Sequence, residues 1–160
     1  MKEWNDFYVA AAGAAAALTG LIFVGISINL KDILEIPILT IKASVSLILL
    51  VSILIFSLLL LMPQTSLRLT GIEFTILGLI VWGLVTKADL RVYAQTLTDY
   101  KNHHLLNLFI DQFAVLPYVG AGIFMLLGNE KGIYLIVPSI VISFIKSVFD
   151  AWVLLIEIKR

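Results

Sequence analysis

Cysteine is absent from the 160 residues, which excludes disulfides, thiolate metal sites and cysteine nucleophiles and leaves the redox compartment unmarked. Charge is scarce. Asp, Glu, Lys and Arg make up 14% of the chain and hydrophobic residues 61%, whereas a soluble domain is about a quarter charged and about half apolar. Eleven Lys+Arg offset eleven Asp+Glu. With neither a basic nor an acidic block, nothing suits nucleic acid or a solvating tail. The only histidines, His103 and His104, are neighbours, about 100° apart on a helix and badly placed to share a metal. No H-E-x-x-H pattern, G-x-S-x-G elbow or phosphate-binding glycine loop occurs. These absences argue against an enzyme and imply no metal and no cofactor.

What is present is apolar sequence of bilayer length. About 20 mostly apolar residues cross the hydrocarbon layer, and five stretches of this kind occur: 7–29, 43–62 with a start as early as Ile38, 69–86, 105–127 and 133–156. The reading is an all-α integral membrane protein, one transmembrane domain of about five helices. The breaks carry helix-stopping residues: Lys31, Asp32, Glu35 and Pro37 in the first, Pro63 to Arg68 in the second, Gly128 to Gly132 in the last. The connection 87–104 is longer. Leu90, Tyr93, Leu97 and Tyr100 recur in it at three- and four-residue spacing, which predicts a surface-lying amphipathic helix. A cleaved signal peptide would open on basic residues with a shorter apolar core. Here Glu3 and Asp6 flank a long run beside Lys2, so the first span is expected to stay.

Lysine and arginine in the connections set orientation. Lys2, Arg68 and Lys131 fall on one side; Lys31, Lys42, Lys87, Arg91, Lys101, Lys159 and Arg160 fall on the other. This predicts an outside N-terminus and a cytoplasmic C-terminus.

Charged residues within a span are costly and usually face protein or water. Asp111 in the fourth span and Lys146 and Asp150 in the fifth lie well inside; Glu73 and Glu157 lie nearer the ends. In the fifth span Ser139, Ser143, Lys146, Asp150 and Glu157 follow at intervals of four, three, four and seven. They share an arc of roughly 60°. Asn107, Asp111 and Tyr118 repeat the pattern faintly in the fourth. Counted from the shared turn at about 1.5 Å per residue, Asp111, Lys146 and Asp150 reach one level. Such a cluster is either a buried ion pair joining two helices or a cation or proton site on a hydrated path.

The first span is rich in small residues. Gly13, Ala17, Gly20 and Ser27 lie near one face, a surface suited to close helix packing. That packing serves either the chain's own bundle or a subunit interface, and Gly71 and Gly78 repeat the seven-residue spacing in the third span. Trp4, Tyr8, Trp82, Tyr134 and Trp152 are placed as interfacial belt residues. Pro117 and Pro138 fall inside spans, as kinks or as sites of freed carbonyls.

The stretch Gly13 to Asn29, GAAAALTGLIFVGISIN, resembles the start of a poorly characterised family of small prokaryotic multi-pass membrane proteins. Asp150 to Glu157, DAWVLLIE, and Leu116-Pro117 with the Gly128 turn resemble its later part. Some members are labelled modulators of a membrane-bound ATP-dependent protease. The resemblance covers the two ends and implies a multi-pass protein of the prokaryotic inner membrane. Asparagine is common in that family where Asp150 stands here, which implies that a charge at this position is no family requirement. The expected function is a small homo-oligomeric channel or transporter for a cation or proton. The alternative is a non-transporting bundle that binds or regulates another membrane protein.

Overall fold

The computed structural model describes residues 4–63, 66–95 and 101–157, without side chains at 101–104 and 157. They form α1 (Asn5–Ile28), a short α2 (Leu30–Glu35), α3 (Pro37–Leu61), α4 (Leu67–Gln95), α5 (Lys101–Leu126) and α6 (Ile133–Glu157), with a 3-10 turn at Glu130–Gly132. No strand occurs among the described residues. Every helix but α2 is long and apolar enough to span a bilayer. Large apolar side chains such as Leu21, Phe23, Ile76, Phe113 and Phe149 point outward. In water such a surface drives association; against hydrocarbon it costs nothing, because each helix satisfies its own backbone groups. The described residues therefore form an all-helical bundle whose five long apolar helices suit a multi-pass membrane protein.

Helices α3, α4, α5 and α6 form a ring, each packed on the next with α6 returning to α3, while α1 lies outside α3 and only brushes α6. One end of the ring holds the turns after α3 and after α5, here the turn end. The other holds the starts of α3 and α5 and the ends of α4 and α6, here the charged end. Near the turn end Phe56 of α3 stacks on Tyr118 of α5 at 4.2 Å and lies 4.8 Å from Phe74 of α4. Met125, Ile136 and Ile140 complete this buried layer.

The α4–α5 seam is the closest approach, and glycine makes it. A Cβ at Gly71 would sit 2.5 Å from the Leu126 nitrogen and 2.9 Å from the Gly122 oxygen; one at Gly122 would sit 2.6 Å from the Thr75 nitrogen. After α5, Gly128 adopts φ +78°, Asn129 N–H donates to the Phe124 carbonyl and Gly128 N–H to that of Met125, both at 2.9 Å. This glycine-capped reversal forms the expected turn into α6.

Three expectations change. Helix α3 begins at Pro37, next to the earliest expected start at Ile38 and not at 43, because proline is welcome in a first helical turn; Thr40 Oγ1 holds the entry by donating to the Ile33 carbonyl at 2.9 Å. The segment 87–95 is no separate surface helix but the end of α4, which continues to Gln95. No glycine or proline interrupts 84–95, so nothing stops the helix. Leu90 and Tyr93 ride on α4, and Leu97 and Tyr100 lie outside the described residues.

The third correction concerns α1. Its buried residues are Tyr8, Ala11, Ala12 and Ala15. Gly13 and Gly20 have open space where a side chain would be, Ala17 and Ser27 are exposed, and the Ser27 hydroxyl bonds its own helix at the Phe23 carbonyl. The Gly13, Ala17, Gly20 and Ser27 face is therefore not where α1 meets its bundle. With small or apolar residues on every side, α1 offers no contrast that would orient it.

Candidate functional site

Lys146 and Asp150 stand one helical turn apart on α6, and Asp111 faces them from α5. Asp111 is 1% exposed and Lys146 7%. The Lys146 ammonium is ion-paired with Asp150 and lies 3.4 Å from Asp111 Oδ2. The structure thus brings Asp111, Lys146 and Asp150 together at one depth, one lysine between two carboxylates.

Two further charged residues join them. Asp89 of α4 places its carboxyl against that of Asp111, and Lys42 of α3 lines the same cavity. Each helix of the ring thus contributes an ionisable side chain. Asp89 was hidden in the sequence because Lys87, Asp89 and Arg91 look like the opening of a polar loop. The available signal was Val85, Asp89 and Val92, at intervals of four and three in a stretch with no helix breaker; both valines are buried.

Asp89, Asp111, Lys146, Asp150, Lys42 and Asn107 line a partly open cavity of about 30 Å³, room for a water or a small ion. Asp111 Oδ1 and Asp89 Oδ2 are buried and have no hydrogen-bond partner. Buried carboxylate oxygens without donors are rare because the uncompensated desolvation is large. Three carboxylates meet two ammonium groups, so the cluster is not balanced as a simple salt bridge would be. Among the described residues no three His, Asp or Glu side chains converge as metal ligands.

The serine part of the α6 stripe does something else. The Ser139 hydroxyl donates to the Ala114 carbonyl of α5, and Ser143 reaches the same oxygen at 3.4 Å. Ala114 lies in the turn preceding Pro117, where the proline ring loosens the helical ladder. Both serines are buried. The Tyr118 hydroxyl lies beside them but makes no hydrogen bond of good geometry. Ser147 donates back to the Ser143 carbonyl at 2.6 Å. The stripe is therefore two regions, a hydrogen-bonded fastening toward the turn end and a charge cluster toward the other. Glu157 is the last residue of α6, and its side chain lies outside the described residues.

A polar bridge joins α4 to α5 on the bundle's outer side. The Trp82 indole donates to Gln112 Oε1 at 2.6 Å, and Gln112 Nε2 donates to Thr86 Oγ1 at 3.1 Å. Trp82, expected as a belt residue, thus shares a hydrogen bond with the residue after Asp111.

Comparison with family models, with characterised proteins and with solved structures gives no match for this chain.

Proposed function

We propose that the chain is a small membrane channel or transporter for a cation or proton, assembled from copies of itself in a prokaryotic cell membrane. The observation that carries this reading is the unbalanced cluster of Asp89, Asp111 and Asp150 around Lys146 and Lys42, in which Asp111 and Asp89 each keep a buried oxygen without a donor. A purely structural pair needs equal charge and satisfied lone pairs. A proton or small cation held between the carboxyls supplies what is missing, and the cavity has space for little else. Intramembrane carboxylates of this kind commonly mark ion and proton routes. The Phe56–Tyr118 stack and the serine bonds to Ala114 close the turn end, so passage in one copy requires α5 and α6 to part there. The outward small-residue face of α1 supports contact between copies.

The test is flux in liposomes of purified protein, followed with dyes for protons, sodium and potassium. Wild type is expected to carry one of these ions, and Asp89→Asn and Asp111→Asn to lose the flux while remaining folded. No flux of any of the three by folded wild type would sink the transport reading.

The closed aromatic layer also favours a second reading, a sealed bundle that binds or regulates another membrane protein through the outward face of α1. Wild-type silence in the flux assay together with an intact monomer would favour it.

The proposed orientation puts the turn end outside, supported by the scarcity of Lys and Arg in its connections. Because the chain has no native cysteine, Lys2→Cys is expected to react with a membrane-impermeant maleimide from outside in intact cells. Lys159→Cys should react only after the membrane is opened. Reaction of both from the same side would overturn the odd number of crossings.

A further inference from the structure

Asp89 of α4 and Asp111 of α5 place their carboxyls against each other in the wall of the small cavity. Two carboxylates at that range are costly to ionise together, because like charges repel strongly where water is scarce. Asp111 is 1% exposed, so bulk water does little to screen it. Each of the two also keeps a buried oxygen without a donor, Oδ1 of Asp111 and Oδ2 of Asp89. An ionised carboxylate only accepts, whereas a protonated one carries an O–H. One proton on the pair therefore makes one carboxyl a donor to the other.

Formal charge points the same way. Around the pair the cavity is lined by Lys42 of α3, Asn107 of α5, and Lys146 and Asp150 of α6. Three carboxylates against two ammonium groups leave one negative charge, and a single proton cancels it. A metal cation fits less well. Hard cations take about six or more oxygen ligands, and a cavity of about 30 Å³ holds about one water to add to the side chains. Two ammonium groups in the same wall would also repel a metal ion. A proton needs no ligand shell, only the two carboxyls. We propose that Asp89 and Asp111 share a single proton, so that the ion taken up at this site is a proton and not a metal cation.

On uptake one carboxyl oxygen forms an O–H bond to a proton delivered by water. On release that bond breaks and the proton returns to water, with no electrons changing hands. That the bound proton is also the one that crosses the membrane rests on the transport reading.

The experiment is infrared spectroscopy of full-length protein in a carbonyl-free detergent, read at the carbonyl stretch of protonated carboxyl groups. It is run at about pH 7, where solvated Asp and Glu are ionised and do not contribute. Wild type is expected to show the band of one protonated carboxyl, and Asp89→Asn and Asp111→Asn each to lose the whole of it. In either variant the amide supplies the donor that the proton supplied, and two carboxylates then balance two ammonium groups. The amide band of the same spectrum reports whether the helices are intact. Sodium or potassium added at constant pH should leave the wild-type band unchanged, a measurement that stands whether or not a variant folds. No band in folded wild type, a band that survives either substitution, or a band that falls as sodium or potassium is added would each overturn the shared proton. Flux in liposomes separates this outcome from the transport reading. Sodium or potassium flux by a wild type without the band would keep transport and remove the proton; the band in a wild type that carries no ion would keep the proton and remove transport.

Discussion

Lys146→Met is expected to destabilise the bundle by about 3–5 kcal/mol, the usual cost of removing one member of a buried ion pair. The substitution keeps most of the side-chain volume, so packing contributes little to the loss. What remains is Asp111, 1% exposed, beside the carboxyls of Asp89 and Asp150, with no cation of α6 to offset them. Thermal unfolding of purified protein should show a fall on the order of 10 °C. Adding Asp111→Asn and Asp150→Asn to Lys146→Met is expected to recover most of it. Replacing all members of a buried ionic group by neutral residues is often close to neutral, whereas breaking it is not. An unchanged melting temperature in Lys146→Met would mean that the ammonium is reached by water or lipid headgroups and holds nothing together.

Gly71→Leu is the second large effect. Its Cβ alone would fall 2.5 Å from a backbone nitrogen and 2.9 Å from a backbone oxygen of α5, and backbone atoms cannot step aside as a side-chain end can. The seam must widen, at a cost near the upper end of the roughly 1–3 kcal/mol typical of overpacking. Gly20→Leu is the matched comparison, because nothing lies within 4 Å of its Cβ position. It should leave the melting temperature of the single chain unchanged. Any effect of Gly20→Leu should appear as a loss of oligomer mass, which light scattering in detergent reads directly. Equal destabilisation by both variants would contradict the placement of α1 and α4.

The contrast between those two glycines shows what could be read from the residues alone. Five spans were legible because hydrocarbon thickness fixes a minimum length that no other helix in such a chain needs to reach. The reversal at Gly128 was legible because only glycine takes its positive φ without strain. Asp111, Lys146 and Asp150 could be set at one depth because two helices joined by a tight turn share an origin, so counting residues measures height. Lateral placement had no such ruler. Gly20 and Gly71 look alike in a sequence, yet one faces away from the bundle and the other touches backbone. In lipid the outer face of a helix is as apolar as its inner face, so the alternation that orients a soluble helix is missing. Asp89 and Lys42 were lost for a related reason. Each lies near a helix end, where a charge is ordinarily solvated, and only the closing of α3 and α4 into the ring carries them to the cavity. The serines of α6 were seen as one line with the charges. Their separate role depends on the Ala114 carbonyl, which no side-chain pattern reveals.

The most direct test of the carboxyl–lysine cluster as an ion or proton site separates its charge from its contribution to folding. The variant Asp89→Asn, Asp111→Asn, Lys146→Met, Asp150→Asn removes four ionisable groups and leaves side chains of similar size. Proton, sodium and potassium flux would be followed in liposomes alongside the melting temperature of the same preparation. The predicted result is a folded protein, melting within a few degrees of wild type, that carries none of the flux wild type carries. Wild-type flux persisting in the folded neutral variant would contradict the account, because ions would then cross without the groups assigned to them.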